Sequence, residues 1–79
     1  MARLPLNDLA AFAAVARTQS FTAAAAEFGV SPSALSHAMR GLEERLGVRL
    51  LARSTRSVAA TEAGLALLDR LSPALAEIE

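Results

Sequence analysis

The chain has 79 residues, a formal net charge of zero and no cysteine, which allows one small domain with a thin core and excludes a disulfide framework or a thiolate metal site. Hydrophobic residues make up 53% and aromatics only 4%. The apolar share is largely Ala and Leu, the best helix formers, so a helical domain is expected and disorder is excluded. The charge is unevenly placed. Every basic residue is an arginine, and Arg40, Arg45, Arg49, Arg53 and Arg56 against Glu43 and Glu44 leave +3 across residues 40 to 56. Residues 57 to 79 carry −3. A basic middle joined to an acidic tail suits an anionic partner, and Arg suits phosphate or a guanine edge. The single His37 cannot hold a metal alone. The opening "MARLPLNDLAAFAAVA" imitates an export signal in its AVA, but its apolar run is short and only Arg3 precedes it. Retention in the cytoplasm is therefore expected. No stretch is long enough to span a membrane.

In chain order, Leu9, Phe12, Ala13 and Ala16 recur at helical spacing behind Asn7. They predict a first helix over about residues 7–18, with Val15 at the edge of its buried face. "TQS" then breaks the pattern. Ser20 suits the N-cap of a short second helix with Phe21, Ala24, Ala25 and Phe28 inward, ended by Gly29 in the left-handed position. Val30 is expected to plug the turn. Ser31 and Pro32 open a third helix that Gly47 closes. Leu35, Ala38, Met39, Leu42 and Leu46 form its inward face. Ser33, Ser36, His37 and Arg40 share the opposite stripe at i, i+3, i+4, i+7. Ala25 lies four residues before Gly29, where a small residue lets two helices cross closely, and Leu35 lies six after it. This is the helix-turn-helix pattern, whose plain alternative is a helical hairpin without a nucleic-acid role.

After Gly47, "VRLLARSTRSVAAT" reads as two short strands around Leu50–Leu51 and Val58, joined by a polar loop. A hairpin straight after such a helix is a wing, which would hold Arg53 and Arg56 beside the same DNA; the alternative is a solvated charged turn. Thr61 caps a last helix, and Glu62 suits the dipole of its first turn. Leu68, Leu71, Leu75 and Ile78 step by three, four and three, the spacing of a coiled-coil seam. Pro73 is expected to bend this helix without ending it. A partner helix is the favoured cover for the seam, which predicts a dimer; the alternative folds the stripe back on the first helix.

The segments "SFTAAA", "VSPSALSHAMRGLEERLGVRLLAR" and "TEAG", in this order, resemble the N-terminal DNA-binding domain of LysR-type transcriptional regulators. The resemblance covers Leu6 to about Leu75. It implies a mainly α winged helix-turn-helix over residues 1–60, of three helices and a short two-stranded wing, and a linker dimerisation helix over 61–79. It implies sequence-specific binding of double-stranded operator DNA by a homodimer, with the third helix in the major groove. Ser33, Ser36 and His37 would read base edges, and Arg40 a guanine edge or a phosphate. Pro32 would pack on a thymine methyl and Thr22 would touch the flanking phosphate. Arg53, Thr55 and Arg56 would bind the backbone or the neighbouring minor groove. Contact would stop near Arg40, because a carboxylate at Glu44 would meet phosphate repulsion. Leu68, Leu71, Leu75 and Ile78 would form the pairing seam. Ala23 and Ala38 stand where a basic and a longer polar residue are common in the family, which implies fewer contacts. The family's larger C-terminal domain, which binds a small-molecule effector, has no counterpart here, so no cofactor is expected in this chain.

Plainer roles compete at each position. Ser33 could only support the helix start, His37 could be a surface histidine, Thr22 a first-turn polar residue, and Arg40 a partner of Glu43 or Glu44. The whole surface could instead bind a protein, although the basic stretch favours DNA. An enzyme is excluded on chemistry. Ser36 and His37 adjoin but point about 100° apart on a helix, and no acidic partner, Gly elbow or metal cluster accompanies them.

Overall fold

The computed structural model describes residues 6–54 and 57–78. Four helices and one hairpin follow in the order α1 (Leu6–Thr18), α2 (Phe21–Phe28), α3 (Pro32–Leu46), β1 (Leu51–Arg53), β2 (Val58–Ala60) and α4 (Glu62–Ile78). The strands pair antiparallel, with Leu51 opposite Ala60, Ala52 opposite Ala59 and Arg53 opposite Val58.

Local chemistry sets the helix ends. The Ser20 hydroxyl accepts from the Ala23 amide and the Ser31 hydroxyl from the Ala34 amide, both at 3.1 Å. Each bond satisfies one of the amides left open at a helix start. Gly29 and Gly47 adopt φ of 66° and 69°, a conformation that costs a side-chain-bearing residue about 1 kcal/mol or more. Their turns close with Val30 N–H on the Ala25 carbonyl and Val48 N–H on the Glu43 carbonyl. Pro73 lies inside α4 and does not end it.

Tertiary packing sets the core. Phe12, Val15, Ala24, Leu35, Met39, Leu42, Leu50 and Leu51 are buried together, with Val58 from the second strand. Burying a side chain such as Phe12 or Leu42 stabilises by about 2 kcal/mol relative to leaving it in water. α1 touches α2, α3, α4 and β2, so its buried arc is wide. Val15, expected at the edge, is at the centre with no exposure. Three other expectations fail. Phe28 is 38% exposed, Leu46 36% and Val30 45%. Phe28 and Leu46 are the last residues of their helices. Their helical phase continues past the crossings that Ala24–Ala25 and Leu35–Leu42 fill, so they are covered only in part. Leu68 and Leu71 pack half-buried against the core of their own chain. Part of the stripe thus does fold back; the side chains of Leu75 and Ile78 lie outside the described residues.

The opening of α4 is tied to the wing. Thr61 Oγ1 accepts from the Gly64 amide at 3.1 Å and donates to the Arg49 carbonyl at 2.6 Å. Its own amide donates to the Leu50 carbonyl at 2.9 Å. A Cβ at Gly64 would collide with that same Leu50 carbonyl, so glycine permits α4 to lie against the strand that leaves α3. No helix among the described residues is long and apolar enough to cross a membrane.

Candidate nucleic-acid interface

The exposed side of α3 is the stripe expected from its spacing. Ser33, His37 and Arg40 are exposed, while Leu35, Met39 and Leu42 behind them are buried. Pro32 is exposed at the start of the helix. Thr22 is exposed in the first turn of α2. These five side chains therefore face solvent from two adjoining helices. Arg40 forms no ion pair among the described residues, so the expected rival pairing with Glu43 or Glu44 is not made.

Ser36 is different. It is half-buried, and its hydroxyl accepts a bond of 3.0 Å from Nη1 of Arg53. Arg53 is the last residue of β1, not part of the loop beyond it, and its side chain turns back across α3. Nη2 of Arg53 lies 3.6 Å from Oε1 of Glu43, and the guanidinium sits 5.0 Å from the centre of the Phe21 ring. Burial pushes the Arg53 guanidinium below its ordinary pKa. Glu43 opposes that shift, and the positive charges of Arg40 and Arg49 add to it. Arg40 and Arg49 therefore lie close enough to Arg53 for their charges to act on it.

Between the start of α2, α3 and the hairpin lies an open cleft of about 400 Å³, lined by Gln19, Thr22, Ser36, Arg40, Arg53 and Ser57 among others. Gln19 enters α2 in a left-handed conformation, φ 54°, which is uncommon for a residue with a side chain. The hairpin closes beside the cleft through the Ser54 amide on the Ser57 carbonyl at 2.9 Å and the Ser57 amide on the Ser54 hydroxyl at 3.1 Å. Thr55 and Arg56, expected at the tip, lie outside the described residues.

Glu43 was missed by the sequence reading. One carboxylate oxygen, Oε2, accepts from the amides of Leu50 and Leu51 at 2.8 and 3.0 Å. A signal was present: Ser36, Arg40 and Glu43 stand at i, i+4 and i+7, so Glu43 shares a face of α3 with two residues already singled out.

The model of the bacterial regulatory helix-turn-helix proteins of the lysR family matches residues 6–65. The chain belongs to the LysR family. Its LysR-type domain is 54% identical over 77 residues to YcaN of Escherichia coli, an uncharacterized HTH-type transcriptional regulator, covering 98% of this chain and 26% of YcaN. It is 53% identical over 79 residues to the HTH-type transcriptional regulator PgrR of the same organism, covering 100% of this chain and 26% of PgrR. The chain thus spans about a quarter of the length of the curated relatives it matches. Among solved structures, oxidized OxyR of Corynebacterium glutamicum superposes with a TM-score of 0.90 at 38% identity, over 98% of this chain and 25% of OxyR. BenM_DBD, in a complex with benA site DNA, superposes with a TM-score of 0.88 at 35% identity, over 95% of this chain and 84% of BenM_DBD. Within the LysR-type domain α2, the Gly29 turn and α3 are the helix-turn-helix, and β1–β2 is the wing. The expected fold class, a mainly helical winged helix-turn-helix with a further helix after the wing, is the fold observed.

Proposed function

We propose that this chain is the part of a LysR-type transcriptional regulator that binds double-stranded DNA in a sequence-specific manner, working as a homodimer. The observation that carries the reading is the exposed polar stripe Ser33–His37–Arg40 on α3, set back to back with the buried Leu35, Met39 and Leu42 and flanked by the basic wing. In this reading α3 enters the major groove, the only groove of B-form DNA wide enough for a helix and rich enough to distinguish all base pairs. Pro32, Ser33, Ser36, His37 and Arg40 face the bases, and Thr22 faces the adjoining phosphate. The wing, which carries Arg53, Thr55 and Arg56, lies on the backbone or the neighbouring minor groove. BenM_DBD, a similar domain, is solved in complex with DNA, which supports DNA as the partner by analogy. The exposed parts of Leu68 and Leu71, continued by Leu75 and Ile78, are the proposed seam between two α4 helices, with residues 1–60 as the DNA-binding unit and 61–79 as the linker. In a regulator of the relatives' length a small-molecule effector would act through the sequence beyond this chain, and the protein would work in the cytoplasm without catalysing a reaction.

Selection from random duplexes by the purified chain, repeated with Ser36→Ala and Arg40→Ala, tests the proposal. The expected result is an enriched site of two half-sites that each variant blurs at one position, at a loss of about 1–3 kcal/mol per base-reading contact. Absence of enrichment together with salt-insensitive retention would favour a protein-binding winged helix.

A further inference from the structure

We propose that Arg53 is a positioning residue for DNA recognition: paired with Glu43, it locks the wing onto α3, and its guanidinium acts inside the domain instead of on a phosphate. The inference rests on the DNA reading above and alters the role of one residue within it.

Three residues on two helices hold the guanidinium. Ser36 and Glu43 present it with an oxygen each, two turns apart on one α3 face, at 3.0 and 3.6 Å, and Phe21 of α2 supplies a ring at 5.0 Å. The Arg53 side chain is 24% exposed. Its Nη2 is closed to solvent and has no hydrogen-bond partner, since 3.6 Å is too long for one. A buried cationic N–H without an acceptor is unfavourable, so the position holds only because the Glu43 charge and the Phe21 ring compensate. A phosphate could not reach Nη2 without taking the side chain out of this nest. Arg40, on the same helix, contrasts: it is exposed and unpaired among the described residues.

Glu43 completes the device. Its Oε1 faces Arg53, while Oε2 accepts from the Leu50 and Leu51 amides. One carboxylate thus grips the strand entering the wing by its backbone and the strand's last residue by its side chain. Because α3 reads bases and the wing approaches the backbone, the angle between them sets which contacts can form together, and the Glu43–Arg53 pair holds that angle. Lysine would keep the charge and lose the flat fork that reaches two oxygens and lies over a ring.

The test compares Arg53→Lys, Arg53→Gln and the near-isosteric Glu43→Gln with the unsubstituted chain in two readouts. Amide hydrogen exchange without DNA reads the lock: in Arg53→Lys and Glu43→Gln the Leu50 and Leu51 amides should exchange at least about tenfold faster, while α1 and α2 amides keep their protection and show that the domain is folded. Titration of the selected duplex against salt reads the role. Arg53→Lys should lose about tenfold in specific affinity with its salt slope unchanged, and Arg53→Gln should also keep the slope. Glu43→Gln removes a negative charge from the basic side, so charge alone would tighten binding; the proposal expects specific binding to weaken. A lysine that restores full affinity, a slope lower by about one unit in Arg53→Gln, or unchanged exchange at Leu50 and Leu51 would each overturn it. Should the unsubstituted chain show no salt-dependent duplex binding, the DNA reading fails, and the exchange result still decides whether Arg53 ties the wing to α3.

Discussion

The two junctions that flank α3 are built on different principles. Before it, α2 passes to α3 through caps that act over three to five residues: Ser31 on the amide three residues ahead, and Gly29 with Val30 on the carbonyls behind. After it, Gly47 ends the helix in the same way, but the path onward depends on partners far along the chain. Glu43 holds amides seven and eight residues on, Arg53 reaches back seventeen to Ser36, and Thr61 reaches back twelve to Arg49. The first junction is therefore rigid by local backbone chemistry. The second is rigid only once the domain has folded, and it is the one that aims the wing.

Gly64→Ala tests the second junction hardest. The new methyl would meet the Leu50 carbonyl, and forcing backbone apart in a packed site should cost about 3 kcal/mol in denaturant unfolding. A loss below half of that would mean that α4 can slide away from β1 without penalty. Glu43→Ala should follow at about 2 kcal/mol, since it leaves two amides without their acceptor and the Arg53 cation without its counter-charge; a neutral result by the same measurement would remove Glu43 from the account of the wing.

The glycine caps on either side of α3 should respond less and more locally. Gly29→Ala and Gly47→Ala meet no atom within 4 Å, so their cost is conformational alone, about 1 kcal/mol each by thermal or denaturant melts. Equal losses at the two positions would show that both helix ends obey the same rule; a much larger loss at Gly47 would place wing contacts under its control. Arg17→Ala should be the smallest effect. The Arg17–Glu27 pair between α1 and α2 is short, at 2.7 Å, but its side chains are 64% and 44% exposed, and solvent-screened pairs contribute about 0.5 kcal/mol or less. Unfolding in low and high salt would check it, with little difference expected.

The same contrast explains what the sequence disclosed. Ser20, Gly29, Ser31, Pro32 and Gly47 announce helix ends because their preferences act through adjacent backbone. The stripe of Ser33, His37 and Arg40 was legible because helical spacing alone puts it opposite Leu35, Met39 and Leu42. Phe28 and Leu46 misled because periodicity says which way a side chain points, not whether anything stands there to cover it. Arg53 looked like a loop cation because its charge is visible in the sequence, whereas the oxygens that hold it belong to α3, ten and seventeen residues earlier.

By itself, then, the sequence determined the helices, their caps, the turn between α2 and α3, the existence of a wing and the family of the chain, since all of these rest on spacing and on backbone preferences within a few residues. Only the tertiary structure decided that Val15 sits at the centre of the core, that Leu68 and Leu71 half-cover their own domain, and that Arg53 turns inward to Glu43 and Ser36. Those outcomes depend on which surfaces meet after the chain has closed its long loops, and a contact between distant residues leaves no periodic mark in either segment.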